Sequence, residues 1–349
     1  IAALGDEDLD GYLDLVIGAP GYDESCENGG AIWLSQGPLS SSGDLSSHTP
    51  FVLGSASEDQ LGVALMVGDL NGDSTLDLLV GASGTNYGSV YLFFGPLSGS
   101  TTTSAADAEF TGSSSASGAG GAIATADFNG DGADDLLYGG VADSADKGSG
   151  SAAGSAFLEY GPITSSGGAA SYALYGATSA DGAGSSVAGG DLDGDGYDDL
   201  IVGASGASSS AGAVYVVLGP LTADMDLASA DISFTGVASG DAAGVSIALG
   251  DSDGDGSADL VMGADYNDTS ANNGGAAYLF YGPFTAGTAS LSSAAAEIGG
   301  SNSNARAGGS IAFGDVDNDG YEDLLLGASR QSVTYAYGGA GLLMMGDQR

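Results

Sequence analysis

Short apolar runs alternate with Gly-, Asp- and Ser-rich stretches along all 349 residues, and no run keeps the three-to-four spacing of a helix. Four kinds of run recur in a fixed order. The first is small and β-branched, as at 63–67, 123–126, 246–249 and 310–313. The second is continuously apolar and ends in Gly, as at 78–81, 200–203 and 324–327. The third is aromatic, as at 31–34, 90–94, 214–217 and 277–281. Five of these aromatic runs close with Gly-Pro, at Gly37-Pro38, Gly95-Pro96, Gly161-Pro162, Gly219-Pro220 and Gly282-Pro283. The fourth is weaker, as at 51–53, 110–111 and 232–235. β-branched and aromatic residues suit a pleated, half-buried surface, and Gly, Pro, Asn and Asp punctuate turns. The pattern therefore predicts four short strands per unit.

Between the first and second run lies one acidic phrase, present six times and beginning at Asp6, Asp69, Asp127, Asp191, Asp251 and Asp315. The intervals are 63, 58, 64, 60 and 64 residues, a repeat of about 62 written across the chain. Repeated four-stranded antiparallel units predict an all-β fold of the β-propeller type, with blades starting near residues 1, 60, 118, 182, 242 and 306 in one domain spanning 1–349. A linear β-solenoid is the rival, although its coils are usually far shorter. The last unit stops near residues 342–345, at its third strand, and the chain opens inside a strand, which reads as a processed or trimmed product.

The acidic phrase has the form Asp-x-Asp-x-Asp-Gly-x-x-Asp. Oxygen donors at positions 1, 3 and 5 of a tight loop can wrap one hard cation, and Gly at position 6 permits the turn. Position 9 adds a carboxylate. The side-chain donors are Asp6, Asp8, Asp10 and Asp14; Asp69, Asn71, Asp73 and Asp77; Asp127, Asn129, Asp131 and Asp135; Asp191, Asp193, Asp195 and Asp199; Asp251, Asp253, Asp255 and Asp259; and Asp315, Asp317, Asp319 and Asp323. The position-7 carbonyls of Tyr12, Thr75, Ala133, Tyr197, Ser257 and Tyr321 would join them. No Cys or His enters the clusters, so a hard ion is expected, and six to eight oxygens in a flexible loop suit Ca²⁺ better than Mg²⁺. About six such sites are expected. An EF-hand would need Glu at position 12, where Ile17, Val80, Tyr138, Val202, Met262 and Leu326 stand instead. The plainer alternative is a set of metal-free acidic turns. The second loop, with Asn71 and Ser74, is expected to bind most weakly.

Charge sharpens the choice. The chain holds 46 Asp and Glu against 4 Lys and Arg, a formal net charge of −42. That balance excludes nucleic acid and anionic membrane surfaces as partners, because both are bound through basic residues. No apolar run approaches the length of a membrane-spanning helix. The donor positions take 22 of the 46 acidic residues, a clustering that repels itself unless cations fill it. Cys26 stands alone, so no disulfide forms within the chain. His48, the one histidine, lies in a Ser/Thr-rich connection with no evident catalytic partner, and the chain is expected not to be an enzyme.

The unit from Val187 to Ser205, VAGGDLDGDGYDDLIVGAS, resembles the FG-GAP repeat, the blade of integrin α-subunit propellers, and the resemblance spans nearly the whole chain. Phe-Gly of the name appears as Leu61-Gly62, Ala119-Gly120 or Ala243-Gly244. The resemblance implies a closed seven-bladed ring with calcium loops on one face; six units are visible, so a six-bladed ring, six units of a larger ring, and an outer strand supplied by another chain all stay open. It also implies an extracellular or cell-surface module for adhesion, ligand binding or scaffolding, with a protein or glycan partner or further copies of itself. A filament subunit assembled by strand exchange and the non-catalytic part of a carbohydrate-active enzyme are the alternatives. The connections at 22–28, 83–87, 143–154, 265–274 and 330–337 would form the opposite face, with Tyr22, Tyr87, Tyr266 and Arg330 as candidate ligand contacts. Asn267-Asp-Thr269 is a lone glycosylation sequon.

Overall fold

A computed structural model describes residues 2–5, 11–23, 26–38, 50–84, 86–115, 117–144, 152–164, 170–331 and 338–346. Each unit is an antiparallel meander. Unit one pairs Ala2–Gly5, Asp14–Ala19, Ala31–Ser35 and Val52–Leu53 in that order. Units two to five repeat it from first strands at Leu65–Gly68, Ala119–Ala126, Ala183–Gly190 and Ser246–Gly250. Unit six has Ala307–Gly314, Asp323–Ala328 and Ala340–Met344. Every second strand begins on the ninth residue of its acidic phrase, so the last acidic residue belongs to the strand and not to the loop.

The expected strands are present with small shifts at their ends. The run at 63–67 becomes Leu65–Gly68, because Gly62 turns the chain with φ +88° and delays the ladder. A feature the sequence pattern does not contain joins the units. After its third strand a unit lends a short strand that pairs in parallel with the outer strand of the unit before it. Thr101–Thr102 lies beside Val52–Leu53, Met225–Asp226 beside Tyr172–Tyr175, and Gly287–Ser290 beside Ile232–Thr235. Three sheets among the described residues thus reach five strands by borrowing one.

No common core exists among the described residues. Each hydrophobic cluster lies between two successive sheets. Val16, Ile32 and Val52 of unit one meet Leu78, Val80 and Phe93 of unit two. Val214 and Phe234 of unit four meet Leu260 and Met262 of unit five, and Val261 and Leu279 of unit five meet Leu324 and Leu326 of unit six. The second strands of units two to five are buried at every position, which explains their continuously apolar runs. In unit six one face is uncovered and Leu325 and Leu343 stand exposed on it.

The sheets touch at glycine. Gly18 meets Gly62, Gly81 meets Gly120, Gly139 meets Gly184, Gly203 meets Gly244 and Gly263 meets Gly308, once at each junction. A methyl on the second-strand glycine would overlap the carbonyl of its partner in the next unit. We expect Gly203→Ala to destabilise the chain by about 1–3 kcal/mol through overpacking of that junction, read as a lower denaturant midpoint. Unchanged stability would mean that the sheets do not meet here.

Candidate metal centres

The acidic loops connect first to second strands, so those of units two to six lie at one end of the sheets. Asp6, Asp8 and Asp10 of the first loop fall outside the described residues; Tyr12 and Asp14 are within them. The other five loops share one backbone plan. The position-1 carboxylate accepts the N–H of position 6 in all five, as from Gly196 to Asp191 at 3.0 Å and from Gly320 to Asp315 at 3.0 Å. The position-5 carboxylate accepts the N–H of position 7, at 2.8 Å for Thr75 to Asp73 and 2.9 Å for Ala133 to Asp131, Tyr197 to Asp195 and Tyr321 to Asp319; Ser257 to Asp255 is 2.8 Å. Positions 4 and 6 are left-handed throughout, with Gly194 at φ +81° and Gly196 at +92°. Ser74 takes φ +70° at position 6 of the second loop, so that loop keeps the shared form against the preference of its residue.

Carboxylates gather where the phrase is complete. Oxygens of Asp191, Asp193 and Asp199 lie within 4.8 Å of one another, as do those of Asp251, Asp253 and Asp255, and of Asp315, Asp317 and Asp323. In the second and third loops the amide at position 3 intervenes. Asn71 donates to Asp73 at 3.1 Å and Asn129 to Asp135 at 3.2 Å.

The ninth carboxylate has a second task. It is buried in all six units, and in units two, four, five and six it fastens the loop in two directions. In unit four, Asp199 accepts from the Leu192 N–H at 2.9 Å and from the Gly219 N–H at 3.0 Å. That second donor is the glycine of Gly-Pro after the third strand. Gly37, Gly95, Gly161 and Gly282 donate in the same way, and Gly346 does so in unit six, which has no Gly-Pro. This explains the repeated glycine that the sequence pattern left without a role.

Burial without a cation raises the pKa of the ninth aspartates of units two to five. Asp77 is pushed up to about 6, Asp199 to about 6 and Asp135 to about 7, first by loss of water and then by neighbouring aspartates; the backbone N–H bonds act the other way. Asp135 Oδ2 is buried and has no hydrogen-bond partner. An all-oxygen donor set with such an orphan fits a hard divalent ion.

The four candidate ligand residues sit at the other end, spread over different units. Tyr22 packs edge-on against Trp33 with centroids 4.9 Å apart, so its ring is already engaged. Tyr87 is exposed and lines a cleft of about 250 Å³ with Asp59, Tyr91 and Glu109. Tyr266 is exposed beneath the Arg306 guanidinium, which lies 3.2 Å from its ring centroid and pairs with Asp265 at 3.1 Å. Arg330 is exposed, and its N–H donates to the Ala305 carbonyl at 3.0 Å. The structure brings Tyr266 near Arg306, not near Tyr22 or Tyr87. The sequon fails as an acceptor: Asn267 is buried and its amide donates to Asp241 at 3.1 Å and to the Tyr278 hydroxyl at 3.0 Å. His48 lies outside the described residues.

Segments 1–35, 183–217, 243–280 and 307–344 match the FG-GAP repeat, and 69–138 match an FG-GAP-like repeat. Together these segments cover more than half of the sequence, and the chain belongs to the FG-GAP repeat family. A stretch of 102 residues, 29% of this chain, is 34% identical to integrin alpha-6 of Gallus gallus and 33% identical to integrin alpha-6 of Homo sapiens. A stretch of 95 residues, 27% of the chain, is 35% identical to integrin alpha-7 of Homo sapiens. These stretches match 9%, 9% and 8% of the relatives' own lengths.

Two predictions follow from the loop geometry. First, the folded, cation-free chain holds more protons than the unfolded chain between about pH 4 and pH 7, because Asp77, Asp135 and Asp199 titrate above their ordinary value of 3.8. Its stability therefore falls as pH rises through that window. Thermal unfolding in decalcified buffer at pH 5 and pH 7.5 reads the sign; greater stability at pH 7.5 would contradict it. Second, Ser74→Gly should stabilise the chain by about 0.5–1 kcal/mol, the release of a left-handed side chain less the backbone entropy that glycine adds. A lower melting temperature would mean that Ser74 is not strained.

Proposed function

We propose that the chain is an extracellular, calcium-stabilised β-propeller domain of FG-GAP blades, spanning residues 1–349, that binds a protein or glycan ligand in the manner of an adhesion module. The observation that carries this reading is the all-oxygen loop repeated at one end of successive sheets, with the buried Asp135 Oδ2 lacking a partner. The resemblance to integrin alpha chains supports the adhesion role. Positions 1, 3, 5 and 9 would hold Ca²⁺ with their side chains and position 7 with its carbonyl, about six ions in all. The bound ion supplies charge neutralisation, not reaction chemistry. The chain's own residues present the donors, fix the turn at the position-6 glycine and hold each loop to its sheet through the ninth carboxylate. Extracellular modules of this kind bind calcium at about 10⁻⁴–10⁻³ M, which suits millimolar external calcium. Ligand recognition falls to the opposite end, where exposed Tyr87, Tyr266 and Arg330 stand on connections between packed strands. Catalysis forms no part of this reading, and neither do nucleic acid or membrane insertion.

At a twentyfold excess over Kd each site contributes about 1.8 kcal/mol. Removing calcium with a chelator should therefore lower the melting temperature by more than about 10 °C, and native mass spectrometry should count about six bound ions. An unchanged melting curve with no bound ions would overturn the metal reading. Binding to immobilised matrix proteins or glycans without turnover would support the adhesion role. A second reading, a filament subunit joined by strand addition, draws on one feature: among the described residues Ala340–Met344 has no outer partner and exposes Leu342 and Leu343. Calcium-dependent fibres in sedimentation would favour it.

A further inference from the structure

Neighbouring loops are tied to one another by side chains that hold no cation, and the ties are unevenly distributed. The residue at position 8 is Asp134 in the third loop, Asp198 in the fourth and Glu322 in the sixth. Each reaches back to the preceding loop and accepts the N–H of its position-1 aspartate. Asp69 donates to Asp134 at 2.8 Å, Asp127 to Asp198 at 2.9 Å and Asp251 to Glu322 at 2.9 Å. The backbone returns the bond, from the N–H of Asp134 to the Asp69 carbonyl at 3.1 Å, of Asp198 to Asp127 at 3.3 Å and of Glu322 to Asp251 at 3.2 Å. Position 7 adds a ring to two of these ties. Tyr197 lies over Gly130, position 4 of the third loop, and Tyr321 lies over Gly254, position 4 of the fifth.

The junction between the fourth and fifth loops lacks both devices. Ala258 carries no acceptor at position 8 and Ser257 no ring at position 7. The space above Gly194 is open, with no atom within 4 Å of where a side chain would begin. Leu76 and Thr75 leave the junction between the first and second loops equally unable to form the tie.

We propose that these position-8 carboxylates make cation binding cooperative within two groups, loops two to four and loops five and six, and that the groups load independently of each other. The proposal rests on the calcium reading above and concerns how the sites communicate. A bound ion orders its loop from position 1 to position 9. Position 8 lies inside that span, one residue before the buried anchor. Ordering the sixth loop therefore fixes Glu322 and Tyr321, and these hold Asp251 and Gly254 of the fifth loop in their binding form. The fifth loop then has less backbone freedom left to lose when its own ion arrives, which is coupling through conformational entropy. By linkage the effect is reciprocal. Across the gap at Ala258 the described residues make no position-8 tie. The Phe284 N–H donates to the Leu192 carbonyl at 2.9 Å there, but the Ile163 N–H makes the same bond to Leu70 at 2.7 Å beside the Asp134 tie, so the position-8 carboxylate is what distinguishes the junctions. Glu322, Asp198 and Asp134 are positioning residues in this scheme, because they act through the backbone of another loop.

The test follows loop-resolved hydrogen exchange of the full chain across a Ca²⁺ titration. Disabling the sixth loop with Asp317→Asn and Asp319→Asn should move the midpoint for protection of the fifth loop to at least about fivefold higher Ca²⁺, while the fourth loop keeps its midpoint. Glu322→Ala should abolish the sensitivity of the fifth loop to the sixth. Ala258→Asp, which supplies the missing acceptor, should make the fourth loop respond to loss of the fifth, tested in the same chain with Asp253→Asn and Asp255→Asn. If the fourth and fifth loops both hold their midpoints when the sixth is disabled, or both move equally, the coupling is refuted. If no loop gains protection at any Ca²⁺ concentration, the calcium reading itself is refuted, and the two failures are told apart by that one observation.

Discussion

The stacking of these sheets depends on backbone meeting backbone at five pairs of glycines. Every junction between successive units places a second-strand glycine against a glycine of the next unit, at a separation that excludes a methyl group. The approach lets side chains on either side of the contact interdigitate, so each pair of sheets encloses its own apolar cluster. It also brings the acidic ends of neighbouring sheets together. Asp69 and Asp134 are 65 residues apart in sequence and hydrogen-bonded in space because Gly81 and Gly120 touch further along the same two sheets.

The loops combine two tasks that conflict electrostatically. Each must collect carboxylates at one point, and each must be anchored to its strand. The chain resolves the anchoring by burying the ninth aspartate, and in four units backbone N–H groups satisfy it from both sides, as Val316 and Gly346 do for Asp323 at 2.8 Å each. Backbone donors favour the ionised form while burial opposes it, and for Asp77, Asp135 and Asp199 burial wins. A divalent ion would restore the balance.

Much of this was legible in the sequence, because the signals were local and repeated. The position-6 glycines, the apolar run after each ninth aspartate and the aromatic third strand are all read within one unit. What escaped was non-local. The parallel strand Gly287–Ser290 carries no strand signature of its own, since Gly, Thr, Ala and Ser pack little and the segment exists as a strand only through Ile232–Thr235. Position 8 carries no signal of its role within its own unit, because its partner lies one unit earlier. Tyr22 looked free until Trp33 was placed beside it. The sequon at Asn267 carries no sign of its burial, which arises when the turn folds the amide inward onto Asp241. Each miss concerns a contact between segments roughly ten or more residues apart, which composition and spacing cannot specify.

The borrowed strand has a consequence for how such a chain grows and diversifies. In units one, three and four the outer edge is finished by residues that belong to the successor, so the structural module there is out of phase with the repeated phrase. During synthesis such a sheet therefore keeps an open rim until about another 50 residues have emerged, as from Val52 to Thr101, Leu174 to Met225 and Ile232 to Gly287. Duplication or loss of repeats preserves these rims only when the cut falls at the same point in two copies.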